Sequence, residues 1–220
     1  MAQGMPTADR AYEHVKAQVL DGTHPGGTLL SEGAVAAELG VSRTPVREAF
    51  LRLQSEGFLR LYPKRGALIV PVSLSAGREI METRLLLETF ALDTVAARGV
   101  AAVQELGEAL AAETAAPHPE EGRALEVGRA FHSRLLAAAG NSVVSGMYAA
   151  LWDQQQRLSE ASVNTPTNAT EDLSEHQEIA DALRNGDART ARDLLERHIA
   201  AILRRLGLSG GELRLPQPQR

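Results

Sequence analysis

Apolar positions in this chain recur at two different periods, and the change between them divides it. Tyr12, Val15, Val19 and Leu20 stand at helical spacing, which predicts a first helix over Arg10–Leu20 after a loose start at residues 1–9. A short helix follows over Ser31–Leu39. Gly40 closes it, and the chain turns at once into a third helix, where Val46, Ala49, Phe50 and Leu53 recur at i, i+3, i+4 and i+7. Two helices joined so tightly have helix-turn-helix spacing. Gly57 ends the third helix, and Phe58–Tyr62 and Ala67–Val70 read as strands around Pro63-Lys64-Arg65-Gly66. Such a hairpin with a basic tip is a wing.

From about Ser75 the period is wholly helical. Six helices are expected, at about 76–98, 101–115, 120–139, 142–161, 171–185 and 187–207. Their breaks hold Gly99, Pro117 with Pro119, Gly140-Asn141, the polar run Asn164–Asn168, and Asn185-Gly186-Asp187, with Asp187 placed to cap the last helix. The predicted fold is therefore mostly α. A winged helix-turn-helix domain spans 8–72, a linker spans 73–76, an all-α bundle of about six helices spans 77–207, and a disordered tail spans 208–220. Only 4% of the residues are aromatic, in keeping with a body of alanine-rich helices.

The third helix carries the first candidate chemistry. Ser42 stands where it can cap, and Pro45, within the first turn, has no N–H to leave unpaired. Opposite the apolar face lie Arg43, Thr44 and Arg47, with the arginines at i and i+4. Their guanidinium forks suit phosphates or the O6/N7 edge of guanine, and Thr44 suits a phosphate or a thymine methyl. The formal charge of −5 conceals this. Val41–Gly66 holds six Lys/Arg (Arg43, Arg47, Arg52, Arg60, Lys64, Arg65) against Glu48 and Glu56, a local balance of +4. A basic reading surface on an acidic body favours specific over indiscriminate DNA binding. The plain alternative for any such cluster is a solvated helix face.

The second candidate is a set of histidines. His132, His176 and His198 each share a helical face with apolar residues, so all three point toward a core where their nitrogens need partners. Three imidazoles converging from three helices supply a metal's first shell with positions left open. Three separately satisfied core histidines are the other reading. No apolar run approaches a membrane span, residues 1–10 hold no signal-peptide core, and cysteine is absent. These features suit a cytoplasmic protein.

Leu20-Asp21-Gly22, Pro25-Gly26, Leu30-Ser31-Glu32, Leu39 through Ala49 and Leu53 through Gly57 resemble, in register, the winged helix of GntR-type bacterial transcription regulators. The resemblance implies that Ser42, Arg43, Thr44, Pro45, Arg47 and Gly66 contact operator DNA, with Lys64 and Arg65 at the wing beside them. At Gly33 such regulators often carry a longer polar or basic residue, so a phosphate contact there is missing. Arg84 through Glu88, Phe131-His132, Ala139-Gly140-Asn141, Glu175 through Asp187 and Ala191 through His198 are similar to the helical effector domain of the FadR-type branch, the FCD domain. Metal-binding members use three histidines and an aspartate one turn before the first. Here His132, His176 and His198 match, but Gly128 stands at the aspartate position. Loss of a hard oxygen ligand tilts the site toward Zn or Ni.

The resemblance implies a homodimer on a palindromic double-stranded operator, controlled by a small-molecule effector, commonly an organic acid, with repression as the default sign. Arg84 is a candidate effector anchor, or else an ion pair to Glu88 at i+4. A metal-free effector pocket is the alternative. A metal-dependent hydrolase built on the three histidines is remote, because the chain has no H-E-x-x-H arrangement and no evident positioned base.

Overall fold

The computed structural model describes residues 4–115, 123–161 and 166–208. Two compact units divide the chain, the first built on the elements before Leu74, with Gln156–Ala161 grouped with it, and the second on the helices from Leu74 onward.

In the first unit α1 runs over Thr7–Leu20 and buries Ala11, Tyr12, Val15 and Val19. It begins three residues before the expected start at Arg10, so part of the segment read as loose is helical. Asp9 in that first turn bonds Arg52 at 3.3 Å, a long-range tie that periodicity cannot show. Ser31 caps α2 (Glu32–Leu39) by accepting from the Gly33 N–H at 3.2 Å. Gly40 then takes the left-handed conformation (φ 65°), which lets the chain enter α3 (Arg43–Ser55) directly. Val46, Ala49, Phe50 and Leu53 are all buried, as their spacing requires.

The wing pairs β2 (Leu59–Tyr62) with β3 (Gly66–Ile69), antiparallel, from Leu59 opposite Ile69 to Tyr62 opposite Gly66. A two-residue strand missing from the sequence expectation, β1 (Leu29–Leu30), adds to the other edge of β3 and completes the order β1-β3-β2. Two residues are too few for an alternating pattern, and only the pairing partner makes them a strand. Gly66 has φ 110°, and a Cβ there would collide with the Leu30 carbonyl, so the wing closes on β1 only because this residue has no side chain.

The second unit holds α4 (Leu74–Ala96), α5 (Val100–Thr114), α6 (Arg123–Ala138), α7 (Ser142–Ala161) as far as Gln155, α8 (Pro166–Arg184) and α9 (Ala188–Arg205). The first turn of α4 occupies part of the segment expected as a linker. Helix α8 starts at Pro166, not near 171, because proline is well suited to a first helical turn whose N–H groups have no intrahelical partner. Pro117, Pro119 and Asn164-Thr165 lie outside the described residues. Asp187 caps α9 as expected, accepting from the Thr190 N–H at 2.9 Å. Of the expected tail only Leu208 is described, and it is buried with Met81, Leu85, Ile199 and Leu203. A larger core holds Leu92, Leu110, Phe131, Leu135, Tyr148, Trp152, Ile179, Leu183 and Leu195.

On α4 and on α9 alike, these two apolar clusters flank a polar step. Arg84 and Glu88 lie between Met81 and Ala91, and His198 lies between Leu195 and Leu203. We expect Gly66→Ala to destabilise the first unit by about 1–3 kcal/mol, through the strained φ and the lost approach to Leu30. Urea unfolding of the full chain checks this, and an unchanged midpoint would mean that the hairpin shifts freely to admit the methyl.

Candidate metal centre and nucleic-acid interface

The start of α3 and the tip of the wing form the candidate nucleic-acid surface. Ser42, Arg43, Thr44, Arg47, Lys64 and Arg65 are exposed, and Pro45 and Gly66 are half-buried beside them. Ser42 is the N-cap by position, but its side chain makes no cap bond. Position N3, whose N–H a capping side chain commonly accepts, is Pro45 and has no N–H to offer. The Ser42 hydroxyl is thereby left to a partner. Arg52 separates from the other cations. Its guanidinium lies 3.6 Å from the Tyr12 ring centre and bonds Asp9 and Glu56, so it serves the fold. Among the described residues no carboxylate pairs with Arg43, Arg47, Lys64 or Arg65. Gly33 lies under Arg43: a Cβ built there stands 3.2 Å from Nη2, so the missing side chain leaves room for this guanidinium against the start of α2.

The three histidines come together. His132 from α6, His176 from α8 and His198 from α9 are buried, and their Nε2 atoms stand 2.9, 3.2 and 3.2 Å apart. Phe131 stacks on the His176 ring at 4.3 Å between centroids and fixes its plane. His132 Nδ1 lies 2.9 Å from Glu88 Oε2, and His198 Nδ1 lies 2.6 Å from Glu175 Oε2. A carboxylate only accepts, so in each ring Nδ1–H is the donor. Burial pushes all three histidines well below their usual pKa, and Arg84 depresses them further. The rings are neutral, and on His132 and His198 the single proton is committed to Nδ1.

Two bare Nε2 lone pairs therefore face each other at 3.2 Å. His176 has one ring proton and can satisfy only one of them. Ligand nitrogens 2.0–2.1 Å from one ion stand roughly 2.9 Å apart on an octahedral face and 3.3 Å apart at tetrahedral corners. The observed triangle falls between these, so the donor set fits a divalent cation. A neighbouring group, Asp172, Glu175 and His198, is bridged by Arg205, which lies 2.8 Å from Glu175 and 3.0 Å from Asp172 and so supplies its own cation.

Of the two readings of Arg84, the ion pair to Glu88 is present. Its Nε donates to Glu88 at 2.5 Å and its Nη1 to Gln155 at 2.7 Å, while its buried Nη2 has no partner among the described residues. Glu88 and Glu175 as holders of the histidine rings escaped the sequence reading. Their only signals were that Glu88 stands one turn beyond Arg84 and that Glu175 adjoins His176. Nothing in the sequence marked Gln155, Tyr148 or Trp152.

Comparison with known proteins divides the chain at the same place as the fold. Residues 7–69 match the model of the bacterial regulatory proteins of the gntR family, and residues 79–201 match the FCD domain. The chain belongs to the GntR family of transcription regulators. It is 30% identical over 183 residues to an uncharacterized HTH-type transcriptional regulator from an unstable DNA locus of Streptomyces ambofaciens, covering 80% of this chain and 75% of that protein. It is 43% identical over 83 residues to the gluconate operon transcriptional repressor of Bacillus subtilis, 38% of this chain and 33% of the repressor. A GntR regulator from a Rhodococcus species has the same fold, with a TM-score of 0.71 at 22% identity over 93% of this chain and 99% of that one. McbR/YncC of Escherichia coli gives a TM-score of 0.65 at 24% identity, over 92% and 98% of the two chains.

Within its FCD domain this GntR regulator departs from the four-ligand pattern at Gly128. A Cβ at Gly128 would stand 3.6 Å from His176 Cε1 and 3.9 Å from the Trp152 ring, both ordinary contacts. The position thus faces the histidines and has room for a side chain, but supplies no donor. What steadies the centre instead is the pair Glu88 and Glu175. We expect Glu175→Gln to weaken Zn binding about tenfold, because a charged partner of a ligand imidazole raises its basicity and fixes its orientation. Competition with a chromophoric chelator measures this. Unchanged affinity would remove Glu175 from the centre.

Proposed function

We propose that this GntR regulator binds a palindromic operator as a homodimer and represses transcription until a small organic acid occupies its helical domain. Residues 8–72 form the reading domain and 77–207 the effector domain. The observation that carries the effector half is the convergence of three buried, neutral imidazoles, which leaves at least one Nε2 lone pair without a donor among the described residues. His132, His176 and His198 would hold Zn or Ni, metals that favour imidazole where a hard carboxylate is lacking. Such an ion would supply an electrophilic anchor for an anionic donor. Arg84 presents its unpartnered Nη2 as a second, charged donor for the same carboxylate, and Glu88 and Gln155 hold its guanidinium in place.

On the reading side, Arg43, Thr44 and Arg47 would meet base edges from the first turns of α3. Ser42, Pro45 and Gly66 would meet the backbone, and Lys64 and Arg65 its phosphates. One such unit covers a half-site, so a twofold protein on twofold DNA is the natural assembly. An effector that couples to DNA binding by about 1–3 kcal/mol changes operator occupancy roughly five- to 150-fold. No described helix is long and apolar enough to cross a membrane, and the protein acts on DNA in the cytoplasm.

Arg47→Ala is expected to abolish specific operator binding with fold and oligomeric state intact. A gel-shift titration reads this, and unchanged affinity would take Arg47 off the reading surface. By contrast, Lys64→Ala or Arg65→Ala should weaken binding to every sequence and flatten the slope of log affinity against log salt by about one unit per lost phosphate contact. A slope equal to that of the native protein would mean that the wing does not touch the backbone.

A further inference from the structure

A small cavity of about 60 Å³ lies between α6 and α7, lined by Arg129, Ser133 and Leu136 on one side and Ser145, Tyr148 and Trp152 on the other. It has room for roughly four waters or one carboxylate head. None of the three histidines lines it. Two of its walls reach them: the Tyr148 ring lies 6.5 Å from that of His132, and Trp152 is the ring that a Cβ at Gly128 would meet.

Of the hydroxyls that line the cavity, Ser145 Oγ donates to the Asn141 carbonyl at 3.2 Å, and Tyr148 is the buried one left over. Tyr148 is 2% exposed, yet its hydroxyl has no hydrogen-bond partner among the described residues. Buried hydroxyls are nearly always bonded, so this one points to a partner that is not part of the chain. Burial raises its pKa far above the ordinary phenol range, which keeps it a donor at neutral pH. Arg129 pairs with no carboxylate among the described residues, and Ser133 follows it by one turn on the same face of α6. Arg84, with its own unpartnered Nη2, and Arg129 both act electrostatically on Tyr148, against the single carboxylate of Glu88. Gly128 adds to this imbalance: the surroundings of the histidines are one negative charge poorer than an aspartate there would make them.

We propose that this cavity is a second anion subsite and that the effector is a short dicarboxylate, one head at Arg84 and the histidine centre, the other held by Arg129, Ser133 and Tyr148. The proposal rests on the organic-acid reading given above. It adds the ligand's second charge and the residues that recognise it. A monocarboxylate would leave the buried Tyr148 hydroxyl without a partner and the exposed Arg129 guanidinium to water, so discrimination between the two classes follows from filling the first and engaging the second.

Trp152 is the only tryptophan of the chain and lines the cavity, so its fluorescence reports occupancy. The full-length protein, its metal content measured beforehand, is titrated with succinate and with propionate. Succinate is expected to bind at least about tenfold more tightly, the scale of one charge-assisted contact pair. Arg129→Gln should remove that advantage and leave the propionate affinity unchanged, and Tyr148→Phe should reduce it in part. Equal affinities for the two acids, no binding of either, or an Arg129→Gln protein that keeps the succinate preference would each overturn the subsite. Failure of the underlying reading looks different: absence of metal, together with propionate binding that Arg84→Gln does not change, removes the histidine-centred site, while the Arg129-dependent preference is read independently.

Discussion

Glu88 is fully buried, and the way its charge is met orders the helical half of the protein. A carboxylate taken from water carries a large desolvation cost unless it is paired and bonded. Arg84, one turn earlier on α4, meets one oxygen, and the His132 Nδ1–H from α6 meets the other. Each of those partners is then committed. Arg84 has donors left for Gln155, and His132 must turn Nε2 toward His176 and His198. The direction of the histidine lone pairs follows from a carboxylate that touches no ligand itself.

Glu175 repeats the device at lower burial. It holds His198 from α8 and is in turn held by Arg205, whose guanidinium also spans Asp172. Burial raises the Asp172 pKa to about 6 even with Arg205 beside it, so that edge of the centre is less completely neutralised than the Arg84–Glu88 side. The polar step sits between two apolar clusters along α4 and α9, which exclude water and strengthen each of these interactions. The donors of this step are therefore already oriented by the fold itself.

The reading head follows the opposite logic. Its cations are exposed where a polyanion can reach them and meet no carboxylate among the described residues, whereas Arg52 is stacked on Tyr12 and tied to Asp9 and Glu56. A count of basic residues cannot distinguish these two uses. Pro45, the third residue of α3, has no N–H to satisfy there, and the Ser42 side chain before it makes no bond to the helix start.

The sequence by itself determined the element order, the winged helix-turn-helix, the inward faces of α3 and α9, the Asp187 cap and the three histidines, because each is written in local period or local capping chemistry. It also offered Arg84 an ion pair to Glu88 one turn on, and the fold forms it. Only the tertiary structure decided what depends on partners distant along the chain: β1, which is a strand only beside β3; the early start of α1, tied by Asp9 to Arg52; and the burial of Leu208. The pairings of Glu88 with His132 and of Glu175 with His198, 44 and 23 residues apart, belong to the same class. So does the cavity at Tyr148, whose hydroxyl is an orphan only because two helices close around it. Periodicity says which way a side chain faces along its own helix, and it carries no information about what the facing helix brings.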